Sequence, residues 1–229
     1  MDEKEQFKIF REVLLQFQNQ GILKDIMLIG SWCLYFYRAE FENHDQIPPV
    51  RTSDLDFLIP ANKKISKDVD IPEALKQMGF VPTFNRSTGL IVYDHPELRI
   101  EFLIPELGRG HDRPQNVEKL HVKAQGLRYL SLLSDYPRIM RDGALRVKVP
   151  EPAAFALHKL IISARRLNKE KAKKDLEMAV GLLDFLYAKP REIGRIKSIL
   201  RTIPKKWLEA ILLVSKKHFP QLNETAKNL

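Results

Sequence analysis

Cysteine and long apolar runs are scarce in this sequence, and each absence excludes a class of protein. The single cysteine, Cys33, excludes a framework of internal disulfides and favours a reducing compartment. No apolar run approaches the roughly 20 residues of a membrane-spanning helix, and the charged start Met1–Glu5 does not have the pattern of a signal peptide. The histidines show no metal-ligand spacing. We therefore expect a cytoplasmic protein that does not enter a membrane.

Positive charge is present in excess, but only in the last third of the chain. Residues 1–150 hold 21 Lys and Arg against 21 Asp and Glu, whereas residues 151–229 hold 17 against 8. A basic region of this kind suits a polyanionic partner such as RNA. A solvated, lysine-rich helical surface gives the same composition, and the few aromatic residues in this region are as easily core residues as base-stacking ones.

Carboxylates stand inside two short segments that are otherwise apolar and strand-like. Asp54 and Asp56 run into the apolar stretch 57–59, and Glu101 lies inside the run 98–104. Residues two apart on a strand share a face. If the two strands are neighbours, three carboxylates converge, and each pair at roughly 4 Å repels by about 4 kcal/mol at an effective dielectric constant of about 20. A bound hard cation relieves this repulsion, and the oxygen-only ligands favour Mg²⁺, or Mn²⁺ in its place.

A glycine and a serine precede these acids at a predicted strand-to-helix turn. Gly30 and Ser31 follow the apolar run 26–29 and come before the helical segment 32–40. Glycine permits a tight turn, and serine is a preferred helix cap. The start of a helix offers free amide donors and a favourable dipole to an anion. The sequence therefore predicts that Gly30 and Ser31 contact a phosphate.

The order of these residues resembles the DNA-polymerase-β-type nucleotidyltransferase superfamily. Its pattern is an apolar strand, Gly-Gly or Gly-Ser, an Asp-x-Asp strand and a later strand acid. The sequence matches at Gly30, Ser31, Asp54, Asp56 and Glu101. It departs from the small antibiotic-modifying members by an inserted loop at residues 41–50. The resemblance implies that Asp54, Asp56 and Glu101 are the catalytic, metal-binding residues.

A second resemblance, over roughly residues 25–187, is to abortive-infection and toxin-type bacterial nucleotidyltransferases. It rests on the segments Arg51-Thr52-Ser53, Lys159-Leu160, Arg165-Arg166 and Lys174-Asp175-Leu176. The resemblance implies nucleotide contacts from Arg51, Lys159, Arg166, Lys174 and Asp175. Helical spacing also places Lys159, Ser163 and Arg166 on one polar face, so we expect Lys159 to be an exposed cation that faces the triphosphate.

The periodicity predicts an α/β fold with a mixed sheet, followed by a helical region. The predicted domains are a catalytic domain, 1–150, and a basic helical domain, 151–229. Helices are expected at 4–20, 32–40 and 72–78, and strands at 26–29, 54–59, 80–84, 89–94, 98–104 and 144–149. Residues 105–120 contain Gly108, Gly110 and Pro114 and are expected to form a loop that acts as a flap.

Together these patterns predict an enzyme that moves a nucleoside monophosphate from a nucleoside triphosphate to an acceptor hydroxyl, with release of pyrophosphate. The basic region suggests RNA or tRNA as the acceptor. Glu101 is expected to act also as the general base, and Lys159 with Arg166 to neutralise the leaving group. Two alternatives stay open. One is a small-molecule nucleotidyltransferase of the antibiotic-modifying type, and the other is a non-catalytic module that binds nucleic acid or a protein partner.

Overall fold

The computed structural model describes most of the chain, and its backbone contacts divide it into two units. The described residues are 3–42, 44–50, 52–61, 64–86, 88–106 and 114–229. The first unit comprises Met1–Glu40 and Val50–Pro150, and the second comprises Phe41–Pro49 and Glu151–Leu229. The first holds a mixed sheet with helices, and the second is helical. The predicted fold class, α/β with a helical C-terminal region, is confirmed.

Helices and strands alternate irregularly in the first unit. Its helices are α1 (Glu3–Asn19), α2 (Cys33–Glu40), α3 (Ile71–Gln77) and the short α4 (Ser131–Ser134). Its strands are β1 (Met27–Ile29), β2 (Asp54–Leu58), β3 (Val81–Phe84), β4 (Ile91–Asp94), β5 (Arg99–Pro105), β6 (Gln115–Val117), β7 (Val122–Leu127), β8 (Pro137–Asp142) and β9 (Leu145–Pro150). Local sequence explains several boundaries. Asp70, for example, caps α3 by accepting a hydrogen bond from the Glu73 amide at 2.9 Å.

Seven of the described strands form one mixed sheet. Five follow the order β1-β2-β5-β4-β3, with β7 beside the far end of β5 and β6 beside β7. The pairs β2–β5 and β5–β7 are parallel, and the other pairs are antiparallel. Strands β8 and β9 form a separate hairpin. The parallel pair β2–β5 is therefore the centre of the sheet, and it carries the predicted acids.

The two faces of the central strands differ in chemistry. One face is apolar throughout and packs under α1, where the Phe17 and Phe57 rings lie 5.2 Å apart and Phe57 lies 5.9 Å from Phe102. On the other face, the ends of β2 and β5 carry Leu58 and Leu103, which join a buried apolar cluster. The starts of the same strands carry charged residues on that second face. The sheet is thus anchored on both faces, and its polar corner is held by apolar packing around it.

Several predicted elements agree with the structure and others were missed. Cys33 is buried, as expected for a core residue. Residues 107–113 lie outside the described part of the chain, but 115–120 form β6 and a short 3-10 turn, so the loop predicted for 105–120 is wrong over that part. Strands β7 and β8 were also not predicted.

Among the described residues, no helix combines the length and apolarity that crossing a lipid bilayer requires.

The helices of the second unit are α5 (Pro152–Ser163), α6 (Lys169–Tyr187), α7 (Pro190–Thr202), α8 (Lys205–His218) and α9 (Pro220–Lys227). Helices α6, α7 and α8 pack against the buried helix α5, and α9 packs against α7 and α8. Pro152 opens α5 at a position that needs no amide donor. The segment predicted as an inserted loop belongs to this unit, where the Phe41 and Phe185 rings lie 5.2 Å apart and Ile47 is fully buried.

Candidate functional site

The three predicted acids lie on one face of adjacent strands. Asp56 of β2 is the direct parallel partner of Glu101 of β5, and Asp54 lies two residues before Asp56. Because paired residues and residues two apart share a face of a sheet, all three carboxylates emerge on the same side. Each is half-buried. We refer to Asp54, Asp56 and Glu101 as the acidic face.

The turn at Gly30 lies directly against the acidic face. Ile29, the last residue of β1, is the strand partner of Asp56. Gly30 has a φ of 71°, which disfavours a side chain. A β-carbon at this position would overlap the Asp56 Oδ2 atom and lie 3.2 Å from its Cγ atom. Glycine therefore allows this turn to pass close to the carboxylate without displacing it.

The entry of both acidic strands is fixed by hydrogen bonds. The Gln6 side chain of α1 donates to the carbonyl oxygens of Thr52 at 3.2 Å and Glu97 at 3.0 Å. The Arg99 amide donates to the Ser53 carbonyl at 2.8 Å. These bonds join the residues that precede β2 and β5, so the two strands start in register and the acids are held side by side.

The chain around Ser31 differs slightly from the prediction. Helix α2 begins at Cys33, so Ser31 lies two residues before the first helical residue. The Ser31 carbonyl accepts a hydrogen bond from the Leu34 amide at 3.1 Å. Arg51, the other predicted nucleotide contact of this unit, lies outside the described residues.

Two charged residues beside the acids were missed by the sequence analysis. Arg99 is the strand partner of Asp54 and lies two residues before Glu101, and Asp94 of β4 is its partner on the other side. The Arg99 Nε atom donates to Asp94 Oδ1 at 2.6 Å. This hydrogen bond raises the pKa of Arg99, and the charges of Glu101 and Asp54 raise it further. The position of Arg99 two residues before Glu101 on one strand was the signal in the sequence that could have predicted its place beside the acids.

The acidic face has the donor chemistry for a hard divalent cation. Its ligands are all carboxylate oxygens on one side of the sheet. In the described part of the chain, no three histidine, cysteine or acidic side chains are gathered tightly enough to form a ready-made metal site. Mg²⁺ usually takes one or two carboxylates and completes its shell with water and substrate phosphates. Asp56 with Glu101, and Asp54 beside them, fit that kind of binding.

A second cluster lies in the helical unit and unites three of the predicted nucleotide contacts. The Lys159 Nζ atom donates to Asp175 Oδ1 at 2.6 Å, and the Arg166 Nε atom donates to Asp175 Oδ2. The Lys159 ammonium also lies 5.5 Å from the centre of the Phe155 ring. Helix α5 ends at Ser163, so Arg166 lies in the segment after the helix and not on its polar face as the spacing predicted. Asp175 of α6 brings Lys159 and Arg166 together by accepting a hydrogen bond from each.

Burial corrects one expectation for this cluster. Lys159 is only 7% exposed and Asp175 only 5%, so the predicted exposed cation is a buried, paired lysine. Helical spacing could not show this, because α6 packs over the face that looked polar. The Arg166 side chain is 39% exposed, and Lys174 is exposed.

Next to the cluster, His158 is buried and both its ring nitrogens lack a hydrogen-bond partner among the described residues. Burial, and then the charge of Lys159, lower the pKa of His158 from 6.5 to about 3. A neutral imidazole is therefore enclosed in the core of this unit. The expectation that His158 is structural agrees with this position.

Comparison with known proteins gives a consistent result for the chain as a whole. The sequence model of a family described as "Nucleotidyltransferase" matches residues 9–193. No curated protein matches the chain. An antigenic nucleotidyltransferase-like protein from Paracoccidioides brasiliensis is similar in structure, with a TM-score of 0.50 and 16% identity over 96% of this chain and 92% of that one.

Two further solved structures are more distantly similar. The antibiotic-resistance factor ANT(2'')-Ia has a TM-score of 0.40 and 8% identity, over 100% of this chain and 92% of that one. A structure described as a tRNA-processing enzyme has a TM-score of 0.25 and 18% identity, over 93% of this chain and 59% of that one.

Proposed function

Because this chain belongs to the nucleotidyltransferase family, we propose that it transfers a nucleoside monophosphate from a nucleoside triphosphate to an acceptor hydroxyl and releases pyrophosphate. The observation that carries the proposal is the parallel register that sets Asp56 beside Glu101, with Asp54 on the same side. Carboxylates arranged in this way suit metal-assisted displacement at phosphorus.

The acidic face supplies the reacting groups. Asp54, Asp56 and Glu101 would hold Mg²⁺, or Mn²⁺ in its place. When bound, the ion offsets the charge of the triphosphate and lowers the pKa of the acceptor hydroxyl. Glu101 is the general base, and its carboxylate takes the hydroxyl proton as the acceptor oxygen bonds to the α-phosphorus. The bond from the α-phosphorus to the bridging oxygen then breaks, and its electron pair leaves with pyrophosphate.

Other residues bind the triphosphate. The turn at Gly30 and Ser31 contacts a phosphate through its amides and hydroxyl, and Arg51 adds a positive charge. In the helical unit, Arg166 and Lys174 are proposed nucleotide contacts, because they match the pattern of the toxin-type enzymes. Since Lys159 is buried against Asp175, its role is to fix the carboxylate that holds Arg166.

The basic helical unit suggests an RNA acceptor, including tRNA. Residues 165–174 hold six Lys and Arg and a single acid, and nearly all of this segment is exposed. Such a surface neutralises backbone phosphates and favours a polyanionic acceptor over a small uncharged alcohol. This charge favours RNA over the antibiotic-type alternative.

Incubation of the full chain with each α-labelled triphosphate, Mg²⁺ and total cellular RNA tests the proposal. We expect a labelled RNA band from one or more triphosphates. The variant that combines Asp54→Asn and Asp56→Asn should lose it, whereas Asp135→Asn, at an exposed acid outside the acidic face, should keep it. Label on a small alcohol instead would support the antibiotic-type alternative. No transfer to any acceptor, with a folded protein, would contradict the proposal and favour a binding module.

A further inference from the structure

Arg99 lies on the same face of the sheet as three neighbouring carboxylates. It is the strand partner of Asp54 in one direction and of Asp94 in the other, and Glu101 follows two residues later on the same face. The Arg99 side chain is 48% exposed, so its guanidinium is not locked by packing. A mobile cation beside a divalent-metal site can occupy the same oxygens as the metal, and its position then affects how strongly the metal binds.

Asp94 is the carboxylate that takes the hydrogen bond of the Arg99 Nε atom, at 2.6 Å. Burial raises the pKa of Asp94, but hydrogen bonds from Arg99 and Thr83 and the charge of Arg99 outweigh it, so the net pKa is lowered. Asp94 is therefore ionised at neutral pH. A charge-assisted hydrogen bond of this length is among the stronger polar contacts in proteins.

The location of Asp94 determines on which side of β5 the Arg99 guanidinium lies. Asp94 lies on β4, on the side of β5 opposite to β2, which carries Asp54 and Asp56. A guanidinium bound to Asp94 is drawn toward β4 and away from β2. Without Asp94, the nearest partners of Arg99 on the same face are Asp54 and Glu101.

We propose that Asp94 and Arg99 act as a pair of positioning residues that sets the divalent-cation affinity of the acidic face. In the pair, Asp94 retains Arg99, so that Arg99 does not compete with the cation for the acidic face. When the pair is broken at Asp94, Arg99 turns to the acidic face and competes with the cation. This inference rests on the proposed function, because it assumes that the acidic face binds Mg²⁺ or Mn²⁺.

A double-mutant cycle on the full chain tests the pair. Mn²⁺ would be titrated in the presence of a non-hydrolysable nucleoside triphosphate, with free Mn²⁺ followed by electron paramagnetic resonance. Asp94→Asn should weaken Mn²⁺ binding by roughly three- to fivefold, the scale of a partly exposed ion pair. Asp94→Glu, which keeps the charge, should restore most of the affinity. Arg99→Gln should bind Mn²⁺ at least as tightly as the wild type.

The decisive comparison is Asp94→Asn in the Arg99→Gln background. If Asp94 acts by retaining Arg99, the second substitution should have almost no effect once Arg99 is gone. If Asp94 acts only through its own negative charge, the two effects will add, and additivity overturns the inference. Melting curves of all variants show whether they are folded, and both side chains are exposed enough for the fold to survive.

A parallel titration separates this inference from the proposed function. The Asp54→Asn, Asp56→Asn variant should lose Mn²⁺ binding. If it binds Mn²⁺ as the wild type does, or if the wild type binds none, the metal site itself is wrong and both proposals fail. If it loses binding while the Asp94 and Arg99 effects are additive, only the positioning role fails.

Discussion

At the scale of single residues, Gly30 links the backbone to the chemistry of the site. Its positive φ and its closeness to the Asp56 carboxylate both require the absence of a side chain. Two separate constraints therefore act at one position, and a substitution affects both the folding of the turn and the placement of Asp56, a proposed catalytic acid.

Gly30→Ala should lower activity far more than its effect on stability would explain. An alanine at this φ costs about 1–2 kcal/mol of folding free energy. Displacement of the Asp56 carboxylate by even about 1 Å should lower kcat about a hundredfold. Gly143→Ala is the matched control, because Gly143 has a φ of 57° and open space around it. Thermal melting and pyrophosphate release would be measured for both variants, and equal activities would contradict the close contact.

Because Lys159 is buried and paired, we expect it to contribute to the stability of the fold. Lys159→Met keeps most of the side-chain volume but leaves Asp175 with Arg166 alone, and breaking a buried ion pair costs about 3–5 kcal/mol. Because Arg166 remains, we expect the lower end of this range in urea unfolding. Lys173→Met is the control, since its Nζ atom lies 3.8 Å from Glu177 on a side chain that is 77% exposed, and it should cost under about 1 kcal/mol. Equal stability of the two variants would show that the buried ion pair does not stabilise the helical unit.

At the scale of elements, the sequence could predict the helices and strands that have a clear hydrophobic pattern of their own. The alternation through Asp54–Leu58 and the apolar stripe of α1 have one clear interpretation, and the structure confirms both. Strand β7 reads Val-Lys-Ala-Gln-Gly-Leu and is strand-like only because β5 and β6 pair with it. The β8–β9 hairpin did carry a local signal, Asp142-Gly143, at its turn.

The site was predictable to a similar extent. Sequence pattern placed the acids on strands, but whether β2 and β5 are neighbours depends on the topology of the whole sheet. The pairing of Lys159 with Asp175 depends on how α5 and α6 pack. The contact of Asp94 with Arg99 was not predicted for the same reason, because Arg99 comes from the next strand. Tertiary pairing, which no single segment encodes, accounts for each of these misses.

The element α5 contains a titratable group that should make the protein sensitive to acid. The folded chain keeps His158 neutral down to about pH 3, whereas the unfolded chain takes up a proton below about 6.5. Stability should therefore fall as the pH drops from 6.5 toward 3, by at most about 1.4 kcal/mol per pH unit from this group. His158→Leu should flatten this part of the urea-unfolding profile. The exposed His218 gives the control His218→Leu, and the same flattening in both variants would rule out His158 as the cause.

At the scale of the whole molecule, the positive charge is concentrated in the C-terminal part of the chain. The balanced first 150 residues carry the acidic face, and the remaining residues carry the positive excess. Such a distribution suits the proposed electrostatic interaction with RNA, whereas recognition of a small acceptor does not require it.

RNA affinity should fall steeply with salt if the basic segment contacts phosphates. Each neutralised phosphate releases counterions, so binding should weaken strongly between about 50 and 200 mM salt. Replacing Lys169, Lys171 and Lys173 with Gln should reduce the logarithmic salt slope by about one for each phosphate contact that is lost. Filter binding at several salt concentrations measures both effects. A flat salt response would favour a small-molecule acceptor.

The central claim is that the acidic face on β2 and β5 performs nucleotidyl transfer, and Glu101→Gln tests it most directly. This variant keeps the size of the side chain and removes the charge and the general base. With an acceptor present, we predict that pyrophosphate release falls about a hundredfold to ten-thousandfold, while Glu73→Gln, at an exposed acid on α3, stays at the wild-type rate. A Glu101→Gln protein that is folded and releases pyrophosphate as fast as the wild type would contradict the account.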